Sequence, residues 1–235
     1  IPMAGLGSRF PKEQYKKPKS LIEVNSVPMI TRAVESLDID GNYHFVIRAG
    51  EHAEELCSVI DSIPRKTSVM EIDYLTSGPA STALLLSDLI NTSQELVIAN
   101  CDQIMEWNSR TFLHNARLYD GAVVTYYATT NKNSYAKIDI NGAVTEIREK
   151  EVISTTSLNG IHYWKKGSDF VKSAMAMINA DDMVNNGEFY IGPSYNYMIK
   201  QGLSVGVFHI PNEMHHAVGV PEDLERFIKY ENNKT

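Results

Sequence analysis

The first two dozen residues constrain this chain more than any other stretch. Ile1-Pro2-Met3-Ala4 has the apolar character of the end of a buried strand, and Gly5-Leu6-Gly7-Ser8-Arg9-Phe10 follows it directly. Glycines one residue apart let a backbone turn sharply with positive φ and bring its N–H groups up against a ligand. Successive amides in such a turn form an anion-binding concavity. From Arg9 to Lys19 the chain carries five cations (Arg9, Lys12, Lys16, Lys17, Lys19) and one acid, Glu13, a net charge of +4. The whole chain is net -7, which leaves -11 for the rest. A cationic loop on an acidic protein reads as a site for several phosphates at once.

Known phosphate loops and a bland reading compete for this segment. A Rossmann dinucleotide turn wants a third glycine opening a helix, but Phe10-Pro11 follows here. A Walker A loop wants Gly-Lys-Ser/Thr, which is absent. The bland reading is a solvated charged loop. Gly-x-Gly-x-Arg-Phe, followed by Pro18-Lys19 and the short apolar run Leu21-Ile22-Glu23-Val24, resembles the signature of the sugar nucleotidyltransferases (nucleoside-diphosphate-sugar pyrophosphorylases).

Composition narrows the class without deciding it. At 235 residues there is bulk for one large domain with a full core. No apolar run approaches the roughly 18 residues that span a bilayer, and no signal-peptide pattern is present, so no membrane partner is expected. The chain begins at Ile1 without a Met, which implies that the first strand starts upstream. Two cysteines, Cys57 and Cys101, are too few for a disulfide framework, which fits a reducing cytoplasm. A pI of about 5.5 argues against a nucleic-acid polymer as partner.

Apolar periodicity lays out an α/β chain. It predicts helices over 28–37, 52–60 and 80–89 and strands over 43–47 and 69–75. The run at 96–99 is apolar without interruption, the mark of a strand buried on both faces. Strand-helix repetition to about residue 120 predicts a three-layer sheet. Beyond it come strands over 122–128, 136–140, 143–148, 158–164 and 203–210, and helices over 168–178, 194–200 and 221–230. Asn141-Gly142 marks a two-residue hairpin. The expectation is a single domain over 1–235, a Rossmann-like mixed sheet of the GT-A-like nucleotidyltransferase type. Residues 1–120 form its nucleotide-binding half and 121–235 its acceptor-binding half. Ligands of open α/β sheets sit outside the carboxyl ends of the strands, where loops 5–19, 76–81 and 100–103 would converge.

Several residues there suit phosphate chemistry. Asp102 follows the apolar strand, well placed to hold Mg²⁺, which takes one or two carboxylates plus phosphate oxygens and water. An Asx turn is the alternative for an Asp at a strand end. The small residues of Ser77-Gly78-Pro79-Ala80-Ser81 lead into a helix and let a flat base lie close to the main chain; a plain helix cap is the alternative. Glu149-Lys150 ends a strand, where an exposed ion pair would be worth at most about 1 kcal/mol.

The family resemblance implies more specific roles. The backbone of Ala4, Gly5, Leu6, Gly7 and Ser8, with Arg9, would hold the triphosphate. Lys19 would face the α-phosphate, and Asp102 would be the metal ligand with Asn100 beside it. Thr76, Gly78, Pro79, Ala80 and Ser81 would contact the base. Glu149 would accept from sugar hydroxyls, Lys150 would reach the acceptor phosphate, and Asn159-Gly160 and the segment of Glu188, Tyr190 and Ile191 would line the acceptor. One departure stands out. The family usually carries a second metal-binding Asp near its C-terminus, and this chain reads His215-His216-Ala217-Val218-Gly219 there, with Ala217 at that position. Either His216 (or Glu213) substitutes as a ligand, or one carboxylate and the phosphates suffice; the alternatives for the histidine pair are contact with an acceptor phosphate or a place flanking the last helix. A hard cation prefers oxygen.

The implied reaction joins an NTP (CTP, UTP or dTTP) to a phosphorylated small-molecule acceptor, a sugar-1-phosphate above all, with release of pyrophosphate. A cytidylyltransferase acting on a polyol or amino-alcohol phosphate is the first alternative. A nucleotide-sugar-dependent glycosyltransferase would show an Asp-x-Asp pair where this chain has Asn100-Cys101-Asp102. A non-catalytic binding module is the remaining class. The sequence leaves homo-oligomerisation open.

Overall fold

Helices and strands alternate in the computed structural model, which describes residues 1–7, 9–11, 13–184 and 187–234. A short hairpin, β1 (Glu23–Val24) and β2 (Val27–Pro28), leads into α1 (Met29–Leu37). Then come β3 (Asn42–Arg48), α2 (Ala53–Asp61), β4 (Lys66–Ile72), α3 (Pro79–Leu84), α4 (Ser87–Ile90), β5 (Leu96–Ala99), β6 (Gln103–Met105) and α5 (Ser109–Ala116). The second half holds β7 (Gly121–Tyr127), β8 (Ser134–Ile138), β9 (Val144–Glu149), β10 (Thr156–Trp164), α6 (Gly167–Asn179), α7 (Ser194–Lys200), β11 (Val205–His209), β12 (His215–Ala217) and α8 (Pro221–Asn232).

Strand pairing is mixed, as the strand-helix pattern followed by a hairpin requires. β3 and β4 are parallel, and Pro2 bridges to Val46 of β3, so the first residues lie against that pair. β11 runs parallel to β7, while β10 is antiparallel to β5, β7 and β8, and β8 is antiparallel to β9. β10 is therefore central, and its alternation feeds two cores. Ile161 and Tyr163 pack with Ile30, Val34, Leu56, Ile60 and Phe112 of α1, α2 and α5. Trp164 packs on the opposite face with Phe170, Met177, Tyr195 and Met198 of α6 and α7. Burial of each such large side chain contributes about 1.5–3 kcal/mol. The result is the three-layer arrangement that the sequence predicts.

A third cluster ties the glycine-rich segment down. Phe10 is 5% exposed and packs with Ile104, Val218, Leu224 and Phe227; Tyr15 meets its ring edge-on at 4.9 Å. The aromatic after Arg9 thus anchors the loop to α8.

Several boundaries differ from the sequence reading. The strand expected over 69–75 runs over Lys66–Ile72, because pairing with β3 outweighs apolar alternation. The helix expected over 80–89 breaks at Leu85 and Leu86 into α3 and α4, which carries Leu86 and Ile90 into the core against α6. α5 and the short β6 and β12 had no expectation. The signal for α5 was present in Asn108, whose Oδ1 caps the helix by accepting from Thr111 N at 2.9 Å.

Candidate active site

Pro18 sets the geometry of the central lysine. A single 3₁₀ turn spans Lys19–Leu21, closed by Leu21 N donating to Pro18 O at 2.9 Å. Ser20 and Leu21 are buried, which aims Lys19 the other way. Its Nζ donates to Asp102 Oδ2 at 2.8 Å, and Arg9 Nη2 reaches the same oxygen at 3.5 Å. Gly7 has φ 62, and a Cβ there would stand 3.7 Å from Lys19 Cβ. The glycine turn therefore lies directly over the lysine stem. Lys17 turns outward to Glu55 at 2.6 Å. Ser8 and Lys12 lie outside the described residues.

Asp102 enters from the end of β5 and is enclosed from behind. Val218 N donates to its carbonyl at 2.9 Å, and a Cβ on Gly219 would stand 2.4 Å from Oδ2. Any residue but glycine at 219 would push this carboxylate away. Burial alone would raise its pKa, but Lys19 and then Arg9 outweigh it and hold the carboxyl below its ordinary value. Burial also opposes the charge on Lys19, yet Cys101 and Asp102 outweigh it and raise the ammonium. Burial pushes the Cys101 thiol up, so it stays protonated and Asp102 balances Lys19 at neutral pH.

The Asp102 carboxylate fits a hard divalent cation. Both cations sit on Oδ2, and among the described residues no side chain donates to Oδ1, which leaves that oxygen for a hard cation. Among the described residues no group of three or more His, Cys, Asp and Glu side chains gathers as a metal site. One carboxylate oxygen is thus what the described side chains offer a hard cation, which takes one or two carboxylates plus phosphate oxygens and water.

His216, expected as a candidate ligand, is not brought to Asp102. Side chains alternate along a strand, and β12 pairs His216 with Ile104 and Ala217 with Gln103. That parity sends the His216 ring to α8, 4.9 Å from Phe227 and 4.7 Å from Tyr230. Its Nε2 lies 3.2 Å from Glu106 Oε1, off the line of a hydrogen bond. His215 takes the other face and meets the Tyr126 ring at 4.6 Å. Burial, then His216, push its pKa down to about 4 against the pull of Asp102. The sequence contained the pair but not the parity, which depends on pairing with β6.

The loop at 76–81 is locked to the acceptor-side segment. Gly78 has φ 106, and a Cβ there would stand 2.7 Å from both Phe189 N and Phe189 O. Phe189 N donates to Ser77 O at 2.7 Å and Ala80 N to Phe189 O at 3.0 Å. Behind Pro79 and Ser81, Thr76 Oγ1 lies 2.6 Å from Thr82 Oγ1, which donates to Gly78 O at 3.0 Å. Asn100 makes the second link: its N donates to Gly160 O at 3.2 Å, and a Cβ on Gly160 would stand 2.1 Å from Asn100 Nδ2. Gly160 has φ 93 and sits where the β10 register shifts. Asn159 is buried and turned inward, its Oδ1 accepting from Ile161 N at 3.0 Å.

A second polar cluster forms at the ends of β8 and β9. Lys150 has φ 58, and its Nζ donates to Tyr190 OH at 2.6 Å. Tyr190 OH in turn donates to Glu188 Oε2 at 2.5 Å. Glu149 accepts from Ser134 Oγ. Burial raises its pKa, with Glu188 adding to the shift and Ser134 and Lys150 opposing it. The structure thus unites Glu149, Lys150, Glu188 and Tyr190.

The fold that carries these groups is the nucleotidyltransferase fold, as the sequence resemblance implies. A nucleoside-diphosphate-sugar pyrophosphorylase from Vibrio cholerae RC9 matches with TM-score 0.86 at 22% identity, over 97% of this chain and 98% of that one. A UDP-glucose pyrophosphorylase solved with UDP-glucose matches with TM-score 0.79 at 15% identity, covering 100% of this chain and 97% of that one. The inositol-1-phosphate CTP transferase of T. maritima matches with TM-score 0.72 at 13% identity, over 97% and 95%. No protein-family model and no curated protein matches the chain. Among the described residues no helix is long and apolar enough to cross a membrane.

Proposed function

We propose that this protein is a nucleotidyltransferase that joins an NTP to a phosphorylated acceptor, a sugar-1-phosphate above all, and releases pyrophosphate. The observation that carries the reading is the convergence of Lys19 and Arg9 on Asp102 Oδ2 beneath the glycine turn. An acceptor phosphate oxygen attacks the α-phosphorus, and the bond to the β-phosphate oxygen breaks as pyrophosphate leaves. Such chemistry rests on positioning and charge neutralisation. The amides of the glycine turn and Arg9 hold the triphosphate and receive the charge that builds on the leaving pyrophosphate. Lys19 neutralises the α-phosphate. Mg²⁺ held by Asp102 Oδ1 would supply further charge neutralisation at that phosphate. Lys150 leaves Tyr190 to take the acceptor phosphate, and Glu149 accepts from an acceptor hydroxyl.

A cytidylyltransferase of a polyol phosphate is the second reading. Ala217, where the resembling family carries an acid, keeps this reading open, and the T. maritima CTP transferase shares the fold. Pyrophosphate release across CTP, UTP, dTTP, ATP and GTP, each against a panel of sugar-1-phosphates and polyol phosphates, tests both. Release with no pair overturns the proposal. The unpaired thiols Cys57 and Cys101 favour a cytoplasmic setting, where a precursor for a surface polysaccharide would be made.

A further inference from the structure

Residues 188–191 divide their side chains between the core and the end of β9. Phe189 and Ile191 are buried among the residues of α6 and α7, and the Phe189 backbone is bonded to the loop at 77–80 through both its N and its O. Glu188 and Tyr190, which alternate with them, stay half-buried and reach Lys150. Lys150 meets them from a left-handed turn at φ 58, uncommon for a residue with a side chain. That turn is held by its N donating to Asn133 O at 2.9 Å. Tyr190 OH accepts from Lys150 Nζ at 2.6 Å and donates to Glu188 Oε2 at 2.5 Å. An ammonium can only donate and a carboxylate can only accept, so a hydroxyl is suited to serve both at once. One phenolic oxygen therefore stands between a cation and an anion. Glu149, the other carboxylate of the cluster, is taken by Ser134 Oγ.

We infer that Tyr190 is a positioning residue whose hydroxyl keeps Lys150 from settling on Glu188, and so keeps the ammonium ready for the acceptor phosphate. The inference rests on the nucleotidyltransferase reading, in which Lys150 takes that phosphate. Without the hydroxyl, Glu188 loses a donor, and the Lys150 ammonium lies one oxygen's width away. The flexible lysine stem closes a gap of that size. An incoming phosphate then has to displace a carboxylate from Lys150 and not a neutral phenol. The Lys150 side chain is exposed, so solvent screens the new pair and the effect is modest. It falls on the acceptor alone, because the triphosphate is held by Lys19, Arg9 and the glycine turn.

The test measures KM for each substrate by pyrophosphate release, using whichever pair the wild type accepts. Tyr190→Phe removes one oxygen and keeps the ring. It should raise KM for the acceptor about fivefold, the worth of an exposed ion pair of about 1 kcal/mol, and leave kcat and KM for the NTP within about twofold. In a Glu188→Gln background the same change should move the acceptor KM by less than about twofold, since the anion that would capture Lys150 is gone. In a Lys150→Ala background it should again move it by less than about twofold, since there is no ammonium to capture. A tyrosine that only packs would cost the same factor in every background. Tyr190→Gln, which keeps a group that accepts and donates, should hold the acceptor KM within about twofold of the wild type. It carries the test if Tyr190→Phe does not fold, a larger rise there overturning the inference. An unchanged acceptor KM in Tyr190→Phe also overturns it, as does a rise that persists in either background or appears equally in the NTP KM. A wild type that releases pyrophosphate from no pair overturns the nucleotidyltransferase reading itself, and the inference falls with it.

Discussion

The two polar clusters around Asp102 and Glu149 handle charge in opposite ways. At the glycine-turn end a carboxylate is held ionised: Lys19 and Arg9 pull the Asp102 pKa down despite its burial. At the far end a carboxylate is pushed toward its neutral form, with burial and Glu188 raising Glu149. The lysines differ in the same sense. Lys19 sits on a full negative charge at 2.8 Å, and Lys150 on a neutral phenol at 2.6 Å. On the proposed reading, a fixed ion pair keeps Lys19 charged and in place for a triphosphate. A lysine resting on a hydroxyl gives up less to reach a phosphate. The first end is preorganised by charge and the second by hydrogen bonding.

That contrast breaks most readily at Lys19. Lys19→Ala or Asp102→Ala should lower turnover by about 10²–10³ or more, the usual cost of removing one preorganised charge, with the far-UV spectrum unchanged. Full turnover in either folded variant would mean that the first end is structural. Lys150→Ala is expected to act next most strongly, raising the acceptor KM by about 10–100-fold, the range for a charge-assisted hydrogen bond. A rise in the NTP KM instead would merge the two ends into one.

The link between the ends can be tested by stability. Gly78→Ala places a side chain at φ 106 and 2.7 Å from the Phe189 backbone; it should cost about 1–3 kcal/mol and lower Tm by roughly 2–4 °C for each. An unshifted Tm would show that the 77–189 bridge is not part of the fold's support. The smallest effect is assigned to Glu149→Gln, and its sign matters more than its size. A carboxyl whose folded pKa is raised favours the folded state below its unfolded pKa and loses that contribution as pH rises through the folded value. Removing the charge should therefore raise the denaturation midpoint at pH 7, and the gain should vanish near pH 4. A lower midpoint at pH 7 would place Glu149 with Asp102 as a paired anion.

Much of the first end was legible in the sequence because its chemistry is local. Gly7, Arg9, Phe10 and the Pro18-Lys19 turn fall within one short stretch, and Asp102 closes the most apolar strand. What escaped depended on pairing between distant segments. The choice between His215 and His216 turns on one residue of register between β12 and β6, and three-residue strands carry no periodicity to reveal it. The seat of Asn100 over Gly160 and the bridge from Ser77 to Phe189 join residues far apart in sequence. Their glycines, at φ 93 and φ 106, read in the sequence as backbone beside a ligand and not as points where two distant segments meet. The break between α3 and α4 was hidden because Leu84, Leu85 and Leu86 all read as helix formers.

β10 has a mechanical consequence. Below Gly160 its Ser157 pairs with β8, and above it Ile161 to Trp164 pair with β5. A single strand is thus shared by the region that carries Asp102 and the region that carries Glu149. Rigid halves swinging about a waist would have to tear its ladder, so one continuous strand sets the spacing between Asp102 and Glu149.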